Sequence, residues 1–126
     1  MTREEILNLG IYETEQLVID KILGWELTDR GFYADKDGQS PESYYTPANF
    51  KPGRDIAAAW AILEQLQKQS DFEFILETAW DELDDAPVLY WDCLIRVRSN
   101  PPGISLEPTA PLAICKASLL AVLVPA

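Results

Sequence analysis

Along Asp55–Lys68, DIAAAWAILEQLQK, apolar residues return at three- and four-residue steps: Ile56, Ala59, Trp60, Ile62, Leu63 and Leu66. Glu64, Gln65 and Lys68 fall on the opposite side, so the pattern predicts an amphipathic helix. Asp55, or a residue just before it, can cap its first turn. A different period governs residues 89–98, where Leu89, Trp91, Cys93, Ile95 and Val97 alternate with Tyr90, Asp92, Leu94, Arg96 and Arg98. Period two over this length predicts a half-buried strand. Phe72, Phe74 and Leu76 alternate with Glu73, Ile75 and Glu77, which reads as a strand with a helix as the rival assignment. Asp81–Pro87 then joins the two strands as an antiparallel hairpin with a long acidic loop. Leu112–Leu123 is apolar on nearly every side and predicts a helix buried in the domain centre or between subunits, with Thr109 as N-cap and Pro111 in its first turn.

Thr2-Arg3-Glu4-Glu5 has the spacing of a capping box, which starts a short helix that stops near Gly10. A second helix is predicted over Glu13–Leu23, with Gly24 as its stop. Trp25–Thr28 and Phe32–Ala34 read as short strands around the turn Asp29-Arg30-Gly31, and Asp35–Gly53 reads as an irregular surface loop. Asn100-Pro101-Pro102-Gly103 closes the strand before it. The order ααββαββα predicts a single α+β domain over residues 1–126: a small antiparallel sheet of about four strands with helices packed on its faces. Trp25, Trp60 and Trp91 are the expected core anchors, and Trp60 is expected to lie against the strand at 89–97. The nearly uniformly apolar last helix favours a homodimer built through it, or a higher assembly.

Composition changes this picture at one point. Hydrophobic residues at 48% and charged residues at 25% are ordinary, but the net charge is −11. Such an excess opposes binding to a nucleic-acid backbone. It either serves solubility alone or steers the chain toward a basic partner. The N-terminus lacks a signal-peptide layout, and Leu112–Val124 is too short and too interrupted by Lys116 and Ser118 to span a bilayer, so a cytoplasmic location is expected. In that compartment Cys93 and Cys115 read as reduced core residues, the alternative being a disulfide or a reactive thiol.

The sequence contains no histidine, which removes His-dependent nucleophile systems and His-containing zinc sites. Phosphate-binding glycine loops are absent, and Asp35-Lys36-Asp37-Gly38 lacks the Gly and Glu that a calcium loop needs at positions 40 and 46. Asp81, Glu82, Asp84 and Asp85 either gather a divalent ion or are merely solvated. No metal and no cofactor are assigned. Arg96 and Arg98 share a strand face with Tyr90, while Arg54 follows Tyr44 and Tyr45. Arginines with tyrosines can clamp and stack an anionic ligand, or Arg96 and Arg98 pair across the ladder with Glu73 and Glu77.

Three segments taken together resemble the phage ABA sandwich domain family, small proteins of bacteriophages and prophages. They are Lys21-Ile22-Leu23-Gly24-Trp25, Asp55-Ile56-Ala57-Ala58-Ala59-Trp60 and Ala110-Pro111-Leu112-Ala113-Ile114-Cys115-Lys116-Ala117. More distantly, the Ala-x-x-Trp helix opening is similar to that of the NinX-type proteins of lambdoid phages. The resemblance implies helices on both faces of an antiparallel sheet and a bacterial host cytoplasm, and it brings no catalytic or ligand residues. The preferred expectation is a non-enzymatic phage accessory protein acting through contact with a protein partner of basic character, with no nucleic acid and no membrane involved. The competing one is a small-molecule binder that sequesters an anionic nucleotide signal through Arg54, Tyr44, Tyr45, Tyr90, Arg96 and Arg98. An enzyme using a carboxylate-bound metal is third.

Overall fold

Thr2 and Glu5 cap each other as their spacing predicts. The Glu5 N–H donates to Thr2 Oγ1 at 3.1 Å and the Thr2 N–H donates to Glu5 Oε1 at 3.0 Å. They open α1 (Arg3–Leu7), the first element of a computed structural model that describes residues 1–38, 45–83 and 86–124. Next comes α2 (Ile11–Val18), which widens into a π-helical turn at Ile19–Leu23. Gly24 ends it at φ 72°, a left-handed conformation that costs glycine little. A two-stranded ribbon, β1 (Glu26–Leu27) and β2 (Tyr33–Ala34), leads to α3 (Ile56–Leu66). The chain then forms β3 (Glu73–Leu83), β4 (Ala86–Arg96), β5 (Gly103–Glu107) and α4 (Ala110–Leu123).

Among the described residues the sheets are therefore one ribbon of two strands and one antiparallel sheet in the order β3-β4-β5. This corrects the expected order by one strand: β5 occupies a stretch read as connection. The expected acidic loop is corrected too. The ladder runs on through Asp81↔Val88 and Glu82↔Pro87 to Leu83↔Ala86.

The organising helix is α4, where every residue from Leu112 to Ala121 is buried. It lies on the inner face of β4 and β5, and α1, α2 and α3 pack around its remaining sides. Its all-round apolarity is accounted for within one chain, so the ground for a homodimer through the C-terminal helix falls away. From α3 the core receives Ala59, Ile62, Leu63 and Leu66. Trp60 is 51% exposed, contrary to expectation, and meets the sheet in an edge-on contact with Phe74 (centroids 6.2 Å, 87°). The buried stripe has turned toward the alanines, which let backbones approach. Trp91 is half-buried against the main core, while Trp25 stacks on Tyr45 (5.7 Å, 17°) beside Phe50 in a second cluster with Ile19, Tyr33 and Ala58. The end of the expected surface loop is thus folded inward.

Gly103 fixes how the sheet meets α4. A Cβ there would run into the Ala117 carbonyl and stand 2.6 Å from Ala121 N and 2.9 Å from Leu120 Cβ. Only a hydrogen fits, so β5 must turn Gly103 and Ser105 inward and Ile104 and Leu106 outward. This inverts the usual strand pattern of apolar in and polar out.

Gly103→Ala is expected to cost at least the 1–3 kcal/mol typical of core overpacking, measured by urea unfolding. Trp60→Ala should cost well under the roughly 3–5 kcal/mol of a buried tryptophan. Equal losses at the two sites would contradict this packing.

Candidate functional site

Facing away from α4, the sheet carries side chains in rows that the ladder register defines. Ile75, Leu94 and Ile104 form one row across all three strands, and Glu77, Asp92 and Leu106 form the next. Glu73 and Arg96 lie to one side of these rows, Ala79 and Tyr90 to the other. No helix among the described residues covers this face. Ile75 and Ile104 are each 41% exposed and Leu106 is 53% exposed. The expectation of helices on both faces is therefore corrected: described helices lie on one. Isolated exposed aliphatics need no explanation, but here three adjacent strands contribute to one patch. Its strands place three carboxylates, Glu73, Glu77 and Asp92, on the face with Arg96, whose Nη1 lies 3.6 Å from Glu73, while Arg3 reaches the β5 edge and donates to the Ile104 carbonyl at 3.4 Å.

The arginines and tyrosines read from sequence are not brought together. Arg54 is held by Glu15, a buried carboxylate, with Nη2–Oε1 2.7 Å and Nε–Oε2 3.4 Å; the Gly53 N–H also donates to Glu15 Oε2 at 3.1 Å. That pairing pushes the guanidinium further above its already high ordinary value. Tyr45 belongs to the second aromatic cluster, and its carbonyl accepts from the Tyr33 N–H at 2.8 Å. Tyr90 lies on the open sheet face opposite Ala79. Tyr44 lies outside the described residues. Arg96 and Arg98 do share one open hollow of about 690 Å³, between Asp71–Glu73 and Arg96–Pro102. Arg98 sits there in the left-handed region (φ 56°), with Nε donating to Gln69 Oε1 at 3.0 Å rather than pairing with Glu77. The hollow's two arginines meet two acids, Asp71 and Glu73, so it offers no net positive charge to an anion.

A second charged group inside the fold, after Glu15, has a structural role. Lys116, which interrupts the apolar run of α4, lies 3.0 Å from Glu107 Oε1 and donates to the Leu7 carbonyl at 2.7 Å. A buried ammonium needs such partners because its desolvation is otherwise uncompensated. Asp84 and Asp85 lie outside the described residues, as do the side chains of Asp81 and Glu82. Among the described residues no three His, Cys, Asp or Glu side chains gather to hold a metal ion. No helix among them is long and apolar enough to cross a membrane.

Cys93 and Cys115 are free and buried. Burial, reinforced by Asp92, pushes the Cys93 thiol up to about 12. Burial raises Cys115 as well, with its S–H directed at the Pro52 carbonyl at 3.2 Å. A thiolate-specific reagent at pH 8 is accordingly expected to label neither cysteine until the chain unfolds, and then both. Above the ordinary thiol value near 9 the unfolded chain releases these protons while the folded one keeps them. Stability should therefore decline from about pH 9 upward, and replacing both cysteines by alanine should flatten that slope.

Sequence reasoning missed the open sheet face because it assigned no strand to residues 103–107. The signal was present in Gly103-Ile104-Ser105-Leu106, where small and large residues alternate. Comparison with known proteins adds one finding. No curated protein and no solved structure matches the chain. The model of the phage ABA sandwich domain family matches residues 16–119. That span runs from α2 through the ribbon, α3 and the three-stranded sheet into α4, and on it the chain belongs to the phage ABA sandwich domain family.

Proposed function

We propose that the chain is a non-enzymatic phage accessory protein that works by docking a basic protein partner of the bacterial host on its open sheet face. The observation that carries this reading is the outward exposure of Ile75, Ile104 and Leu106 on a face with surplus negative charge. An apolar centre with a polar, charged rim is the ordinary anatomy of a protein interface. The overall charge of −11 would speed encounter with a basic partner and disfavour acidic ones. A cytoplasmic setting belongs to the same reading. The alternative, capture of an anionic nucleotide, finds less support, since Arg54 is held by Glu15 and the Arg96–Arg98 hollow carries matching acids.

The test is affinity capture from host lysate with the wild-type chain and with Ile104→Thr/Leu106→Thr, which keeps strand propensity while removing the apolar patch. The wild type is expected to retain a basic protein in stoichiometric amount, and the variant roughly tenfold less, a loss of about 1.4 kcal/mol. Equal retention by a variant that stays folded would remove the face from consideration.

A further inference from the structure

Within the open face one hollow of about 160 Å³ is lined by Ile75, Glu77, Asp92, Leu94 and Ile104. At about 30 Å³ per water molecule it holds roughly five waters, far below the 300–1,000 Å³ of a small-molecule pocket. Its lining has two chemistries. Ile75, Leu94 and Ile104 make an aliphatic floor, while Glu77 and Asp92 stand directly opposite each other in the β3–β4 ladder. Like charges in facing positions oppose strand pairing. Among the described residues no ion pair reaches either carboxylate. The nearest cation along β4 is Arg96, already paired with Glu73. Four strand residues at about 3.3 Å each put the Cα atoms of Arg96 and Asp92 roughly 13 Å apart. Arg3, the cation at the β5 edge, donates to the Ile104 carbonyl at 3.4 Å, and neither carboxylate has an ion-pair partner among the described residues. A hard metal ion is a poor candidate, because it needs six or more oxygen ligands and three walls here are aliphatic.

We propose that this hollow receives a single lysine or arginine side chain of a partner protein. The methylene stem lies along Ile75, Leu94 and Ile104, and the cationic head sits between the Glu77 and Asp92 carboxylates. The proposal rests on the reading of the open face as a partner surface and specifies the residue that reads it. It also explains why a repulsive pair stands beside an apolar row: the bound cation relieves the repulsion, so part of the attraction is already stored in the free protein.

The experiment is an amide NMR titration of the whole chain with a capped peptide of alternating lysine and valine. It is run on the wild type and on Glu77→Gln/Asp92→Asn, with melting temperatures at low salt. Expected are shifts centred on Ile75, Glu77, Asp92, Leu94 and Ile104, and affinity about tenfold lower in the double variant. Without peptide, the double variant should melt roughly 2–4 °C higher, since a facing like-charge pair has gone. Shifts spread over other acidic surface, undiminished affinity in the double variant, or a melting point that is unchanged or lower would each overturn the proposal. Lysate capture separates the two readings. If Glu77→Gln/Asp92→Asn keeps a partner that Ile104→Thr/Leu106→Thr loses, the hollow is wrong and the face stands. If both variants keep it, the face is wrong as well.

Discussion

The fold depends on one close approach, the backbone of α4 lying directly on β5 at Gly103. A methyl group there would meet the Ala117 carbonyl, so helix and strand are nearer than side chains ordinarily permit. That proximity is what allows α4 to be buried from Leu112 to Ala121, with the sheet on one side and helices around the rest. It also dictates the strand's orientation. With glycine and serine committed inward, Ile104 and Leu106 have nowhere to go but out. The open apolar row is thus a consequence of core packing, and it joins Leu94 and Ile75 through the ladder rather than standing as scattered surface residues.

Membership of the phage ABA sandwich domain family covers residues 16–119 and leaves α1 before the matched span. Yet α1 is tied to the core by the Lys116 ammonium, which bonds the Leu7 carbonyl and faces Glu107. One cation thereby connects α1, β5 and α4. Removing it would leave the partly buried Glu107 carboxylate without its counter-charge, a more expensive change than never having had the pair.

Much of the architecture was legible in the residues because local signals agreed with the tertiary result. The Thr2–Glu5 box, the Gly24 stop, the alternation from Leu89 to Val97 and the apolar run of α4 all describe environments set mainly by a segment's own period. Where the reading failed, a neighbouring element decided. Trp60 satisfies the helical period as well as Ile62 does, but Ala58 and Ala59 turn a narrower stripe to the core and leave the ring at its margin. β5 escaped because its small residues face inward, a choice made by α4 and invisible in a five-residue stretch. The arginines were grouped by residue type alone. Glu15, Glu73 and Gln69 hold Arg54, Arg96 and Arg98, and only folding reveals which acceptor lies within reach of which cation.

The place of α4 in chain order has a bearing on how the protein is made. Of the described elements it is synthesised last, yet every earlier helix and the sheet rest upon it. As the chain leaves the ribosome, Ile6, Val18, Ile62, Leu63 and Ile95 have no common surface to join until residues 110–123 emerge. The second cluster of Ile19, Tyr33, Phe50 and Ala58 and the β3–β4 hairpin can form earlier, but the main core cannot. The main core can therefore close only when the last described element has left the ribosome.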